Sequence, residues 1–141
     1  MAEFTIDGVA FRSNKIDAMT QFGIVCKFGA VLDQIKPAIQ AIAQHSAARK
    51  MAEVAGETPP EMDLDAIIPL GKALSGLPDQ SRDYIVEAIL RATFRQQGPG
   101  FQPTWDAMAA RPIPEVDFPV LARILAYVLK DNVGNFFPAL G

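Results

Sequence analysis

The stretch EFTIDGVAFR, residues 3–12, constrains the fold more tightly than any other. Asp7-Gly8 suits a two-residue type I′ turn, whose central positions both need positive φ. A turn there sets Ile6 opposite Val9 and Phe4 opposite Phe11 on one face. Glu3, Thr5, Ala10 and Arg12 take the other face, with Glu3 opposite Arg12 as an ion-pair candidate. The hairpin, residues 2–12, is therefore one-sided. A lone two-stranded hairpin is marginal in water, so its phenylalanine face has to rest on something helical.

Helical periodicity takes over at residue 14. Asn14 or Asp17 can cap a helix running to about Asp33. Met19, Phe22 and Cys26 form one apolar stripe on it, and Ile24, Phe28, Val31 and Ile35 form another. A helix apolar on two sides is expected at the centre of the molecule, which makes Cys26 a core thiol. Pro37 fits the first turn of a second helix carrying Ile39 and Ile42, which fades near Gly56. GETPPEMDLD, residues 56–65, is rich in turn formers and acids and is expected to be an exposed loop. Asp63 or Asp65 is placed to cap a short helix with Ile67, Leu70, Leu74 and Leu77 inward and Pro69 near its start.

LPDQSRDYIVEAILRATFRQQG is predicted as one helix, capped by Asp79 or Ser81, stopped at Gly98, with Ile85, Ile89 and Ala92 inward. Asp83, Glu87, Arg91 and Arg95 recur every four residues along it, acidic first and basic last. That order matches the helix dipole and pairs Glu87 with Arg91. Residues 98–116 are expected to be loop, with a turn at TWDAMAA. Asp117 caps the last helix, 117–134, with Pro119 in its first turn and Leu121, Ile124, Leu125, Val128 and Leu129 as its buried face. Gly134 ends it, and an apolar tail, 135–141, follows. The expected fold is a single domain, 1–141, mainly α. It has about five helices in a compact bundle, a helical body over 14–97 and a short N-terminal β-hairpin.

Composition narrows the function classes. The 141 residues suffice to bury a core in one domain, and 50% hydrophobic with 21% charged residues is a globular balance. A net charge of -3 and a pI near 5.1 argue against nucleic acid as the main partner, because phosphate neutralisation needs an excess of lysine and arginine. The single cysteine, Cys26, excludes an intramolecular disulfide and fits a reducing compartment. No run approaches the roughly 20 apolar residues of a membrane span. The opening MAEFTIDG lacks the basic-then-apolar pattern of a signal peptide, so a cytoplasm is the expected place of work.

No constellation for catalysis emerges. His45, the only histidine, ends an alanine-rich stretch, and nothing in the pattern brings a nucleophile and an orienting acid to it. Cys26 in an apolar setting is expected to be inert, since burial raises a thiol pKa. One cysteine and one histidine cannot build a structural zinc site. Asp63 and Asp65 lack the remainder of a calcium-binding loop, and GPGF lacks the Lys-Ser/Thr of a phosphate loop. The expectation is no enzyme, no cofactor and no metal. Trp105 and the tail residues Phe136, Phe137 and Leu140 are the candidate protein-binding residues, because aromatic clusters at a surface mark interfaces.

Taken together, the segments resemble the tail assembly chaperones of tailed bacteriophages. FTIDGVAFRSNKIDAMTQF, residues 4–22, resembles that family's Phe-Thr-Ile/Leu-x-Gly hairpin and its KLDAxxQF-like helix start. VLARILAYVLKDNVGNFFPAL resembles its final helix and DNxGxFF ending, and LPDQSRDYIVEAIL is similar in character to its middle helix. The likeness is weakest over residues 98–116. Where the family pattern has HVxRRLAP after the QF, this chain has GIVCKFGAV and lacks two arginines. The resemblance implies a non-enzymatic helper of tail morphogenesis in the host cytoplasm. Its implied partners are the tape measure protein, tail tube subunits, or both, held by apolar grooves between helices. A structural adaptor retained in the virion tail or baseplate is the alternative.

Overall fold

A computed structural model describes residues 2–56 and 64–133. The chain opens with strands β1 (Ala2–Ile6) and β2 (Val9–Ser13), paired in the predicted register, Glu3 opposite Arg12 and Phe4 opposite Phe11. Asp7 and Gly8 both have positive φ, 52° and 78°, as a type I′ turn requires. The Arg12 guanidinium lies 4.0 Å over the Phe101 ring, a cation–π contact. Helix α1 (Ala18–Lys27) is capped by Asp17, which accepts from the Thr20 backbone N–H at 3.0 Å. A 3₁₀ turn (Gly29–Val31) leads into α2 (Leu32–Val54), so Ile35 belongs to the second helix. Pro37 sits inside α2 rather than in its first turn. Helix α3 (Leu64–Ser75) buries Ile67, Leu70 and Leu74, with Leu77 just past it. The proposed loop residues 57–63, with Asp63, lie outside the described residues.

The mainly α expectation is overturned at residue 92. Helix α4 (Asp79–Arg91) ends nearly two turns short of Gly98, and the chain becomes strand β3 (Thr93–Gln97) and β4 (Gly100–Pro103). These two join the N-terminal hairpin in a four-stranded antiparallel sheet of order β1-β2-β3-β4. A second, two-stranded sheet follows, β5 (Trp105–Asp106) with β6 (Arg111–Pro112). The molecule is thus mixed α and β, and the segment 98–116 is mostly hairpin rather than loop.

The physical reason lies in two threonines and an open strand edge. Thr93 Oγ1 donates to the Ile89 carbonyl at 2.8 Å and Thr104 Oγ1 to the Leu90 carbonyl at 2.8 Å, satisfying acceptors that α4 leaves at its end. Both threonines are fully buried. Beyond them, β2 offers unpaired backbone groups, and Phe11, Arg12 and Ser13 pair with Arg95, Phe94 and Thr93. Gly98 has a positive φ of 58° and turns β3 into β4; it is a hairpin residue, not a helix stop. At the other end of α4, Pro78 occupies the cap position and no side chain caps it, contrary to the Asp79 or Ser81 expectation. The Glu87–Arg91 pair forms at 3.2 Å. Arg95 stands on the sheet instead of the helix.

Helix α5 (Phe118–Val133) begins as predicted, with Asp117 Oδ1 accepting from the Val120 N–H at 3.0 Å. Val120, Ala122 and every residue from Ile124 to Leu129 are buried. It contacts α1, α2, α3, α4 and β1, so it is the central helix. The expected central position of the 14–33 segment is therefore corrected. Helix α1 buries Ile24 but leaves Met19, Phe22 and Cys26 exposed, so Cys26 is no core thiol. Among the described residues the longest unbroken buried run is on α5, from Ile124 to Leu129, and α5 takes the place expected of α1.

Candidate functional site

Helices α3 and α5 pack together with a gap between them that opens to solvent. Ile67, Ile68, Leu70, Gly71 and Leu74 line it from α3, and Phe118, Leu121, Ala122 and Leu125 from α5. The groove holds about 430 Å³ and its wall is almost wholly apolar. Its lips are bare: Ile68 is 50% exposed and Phe118 75%. Gly71 opens the wall further, since a Cβ built there would meet nothing within 4 Å.

The groove continues past Gly71, Leu74, Phe118, Leu121 and Leu125 into a wider depression of about 750 Å³ that reaches α4 and the β5–β6 hairpin. Trp105 lies at that far end, half-buried and packed against the core. Its indole Nε1 is buried with no hydrogen-bond partner among the described residues. Asp106 shapes the hairpin next to it, its Oδ1 accepting from the Met108 and Ala109 N–H groups at 3.0 and 3.1 Å. Charge enters only at this end, where Arg82, Asp83, Glu87 and Arg111 line the depression. Arg82 is already committed to Asp79 at 3.1 Å and Asp83 at 3.6 Å.

Of the four candidate binding residues, Trp105 lines the depression that continues the groove, not the groove itself. Phe136, Phe137 and Leu140 lie outside the described residues. Sequence reasoning missed Ile68 and Phe118. Ile68 sits one position off the buried stripe of α3, and Phe118 precedes the proline of the first turn; both look like ordinary flanking residues until the two helices cross. His45 belongs to α2, and its side chain lies outside the described residues.

Among the described residues no group of three or more His, Cys, Asp or Glu is placed to hold a metal ion. Among them, too, no helix is long and apolar enough to cross a membrane. What the groove can do chemically is bury apolar side chains of another molecule. Each aliphatic or aromatic side chain taken fully out of water there gains roughly 1.5–3 kcal/mol.

A family model described as "Phage tail assembly chaperone protein, TAC" covers residues 7–141. No curated protein and no solved structure matches the chain.

Proposed function

Because the chain belongs to the phage tail assembly chaperone family, we propose that it acts by binding the tape measure protein, tail tube subunits, or both during tail morphogenesis in the host cytoplasm, without catalysis. The α3–α5 groove is the proposed seat for an apolar segment of such a client. The observation that carries this is the groove's wall, apolar from both helices and left bare at Ile68 and Phe118. A groove two helical turns long on each side suits the apolar face of an amphipathic helix, read as anchors at i, i+3 or i+4 and i+7. Client segments of that kind need cover until they polymerise.

Gly71→Met tests the proposal. A Cβ there meets nothing within 4 Å and Gly71 lines the groove, so the longer side chain should occupy the groove without displacing the backbone. Wild-type protein co-expressed with the tape measure protein or the tube subunit should co-purify with at least one of them, and Gly71→Met and Ile68→Asp should lose that client while keeping the wild-type melting temperature. Undiminished co-purification by both variants would remove the groove from the function.

A further inference from the structure

The last turn of α5 is fixed to the start of α1. Asn132 Oδ1 accepts from the Ile16 backbone N–H at 2.9 Å and from Gln21 Nε2 at 3.2 Å, while Asn132 Nδ2 donates to the Val128 carbonyl at 3.0 Å. The chain therefore leaves α5 beside the first two turns of α1. Those turns carry an apolar face that the described residues leave uncovered. Met19 is 76% exposed, Phe22 is 65% exposed and Cys26 is exposed as well. Their spacing, i, i+3 and i+7, sets them on one stripe. Phe22 lies about 100° around the helix from Gln21, so the stripe begins next to the exit point.

Residues 134–141 bring three large apolar side chains, Phe136, Phe137 and Leu140, and no charged one. Three to seven residues beyond Val133 reach about 10–23 Å at the span of an extended chain. The stripe from Met19 to Cys26 is about 10 Å long at helical rise. Reach and length match. The α3–α5 groove, by contrast, begins at Leu125, in the middle of α5, and runs away from Val133 to Phe118. To fill it the segment would have to double back along α5, whereas the α1 stripe starts beside the exit point.

We propose that the segment after α5 folds onto its own domain, seating Phe136, Phe137 and Leu140 on the Met19, Phe22 and Cys26 face of α1. The tail then completes the core on the α1 side and leaves the α3–α5 groove free. This rests on the geometry of α1 and α5 and stands apart from the choice of client.

Cys26 is the only cysteine, which makes the test direct. In Leu140→Cys, mild oxidation at low protein concentration should give an intrachain disulfide with Cys26, seen as a monomer that has lost both free thiols. In Cys26→Ser/Ile68→Cys/Leu140→Cys, the same treatment should leave both thiols free. Deleting residues 135–141 should speed the reaction of Cys26 with a thiol reagent several-fold. Cross-linking to position 68 would put the tail in the groove, and disulfide-linked dimers of Leu140→Cys would put it on a second copy. Either result overturns the proposal, as does free Cys26 that reacts at the same rate with and without the tail.

Discussion

Phe4 of β1 stacks on Tyr127 of α5, with ring centroids 4.8 Å apart and planes 17° from parallel. Phe11 continues the stack, 5.8 Å from Phe4 at 2°. Three rings thus join the first strands to the last helix, and the one-sided hairpin finds the helical support its sequence demands. Replacing Phe4 by Ala should cost about 3–5 kcal/mol, the usual range for a buried aromatic. Urea unfolding measures it. A loss no larger than that of a surface substitution would mean the hairpin is not integral to the core.

The junction between α4 and β3 should be sensitive as well. Thr104→Val removes the hydroxyl donor to the Leu90 carbonyl, and Thr93→Val removes the donor to the Ile89 carbonyl. Each removes one hydrogen bond at nearly constant volume from a carbonyl that keeps the Ala92 N–H, for a cost of about 0.5–1.5 kcal/mol. Thermal unfolding of the two variants that matched wild type would show that the helix end does not depend on these hydroxyls.

Two glycines should respond in opposite ways. Gly8 needs positive φ, and Gly8→Val should cost about 1–2 kcal/mol through strain in the turn. Gly71 lies inside α3 with open space around it, and Gly71→Ala should be neutral or stabilising by up to about 1 kcal/mol. Comparing the two melting temperatures checks both assignments at once.

Acid should weaken the start of α1. Asp17 Oδ1 accepts from the Thr20 hydroxyl at 2.7 Å, and Oδ2 from the Thr20 N–H at 3.0 Å. The Thr20 hydroxyl first, and the backbone N–H second, hold the carboxyl below its ordinary value of 3.8. A depressed folded-state pKa gives stability that is present above the unfolded value and lost as pH falls through the folded one. The stability of wild type minus that of Asp17→Asn should therefore stay flat above about pH 5 and fall as the pH drops below the ordinary aspartate range near about 4. A difference that stays constant across the acid range would count against the charged cap.

Trp105 offers a spectroscopic readout of the groove. It is the only tryptophan and lines the far end of the depression that continues the α3–α5 groove. Saturation with a client segment should shift its emission to shorter wavelength by excluding water from the indole. Gly71→Met should abolish the shift. Full binding with an unmoved spectrum would confine the client to the α3 end.

Local geometry is what the sequence by itself determined. Asp7-Gly8 dictated its turn and, through it, every pairing from Ala2 to Ser13, because a two-residue loop leaves only one register. Asp117 capped α5, Glu87 met Arg91, and Ile67, Leu70, Ile85 and Ile89 turned inward, since each depends on neighbours within four residues or on a single period. The family resemblance, too, lay in contiguous strings. Tertiary structure decided the remainder. The four-residue charge spacing of the α4 segment runs on to Arg95, yet the open edge of β2, some 80 residues earlier in the chain, made strand the better state there. Met19, Phe22 and Val128 are equally greasy on paper, but only Val128 is inside. Hydrophobic attraction has no direction and assigns no partner, so a stripe records which side chains gain from burial and not which element covers them. The groove follows the same rule: Ile68 and Phe118 became its lips only where α3 and α5 crossed.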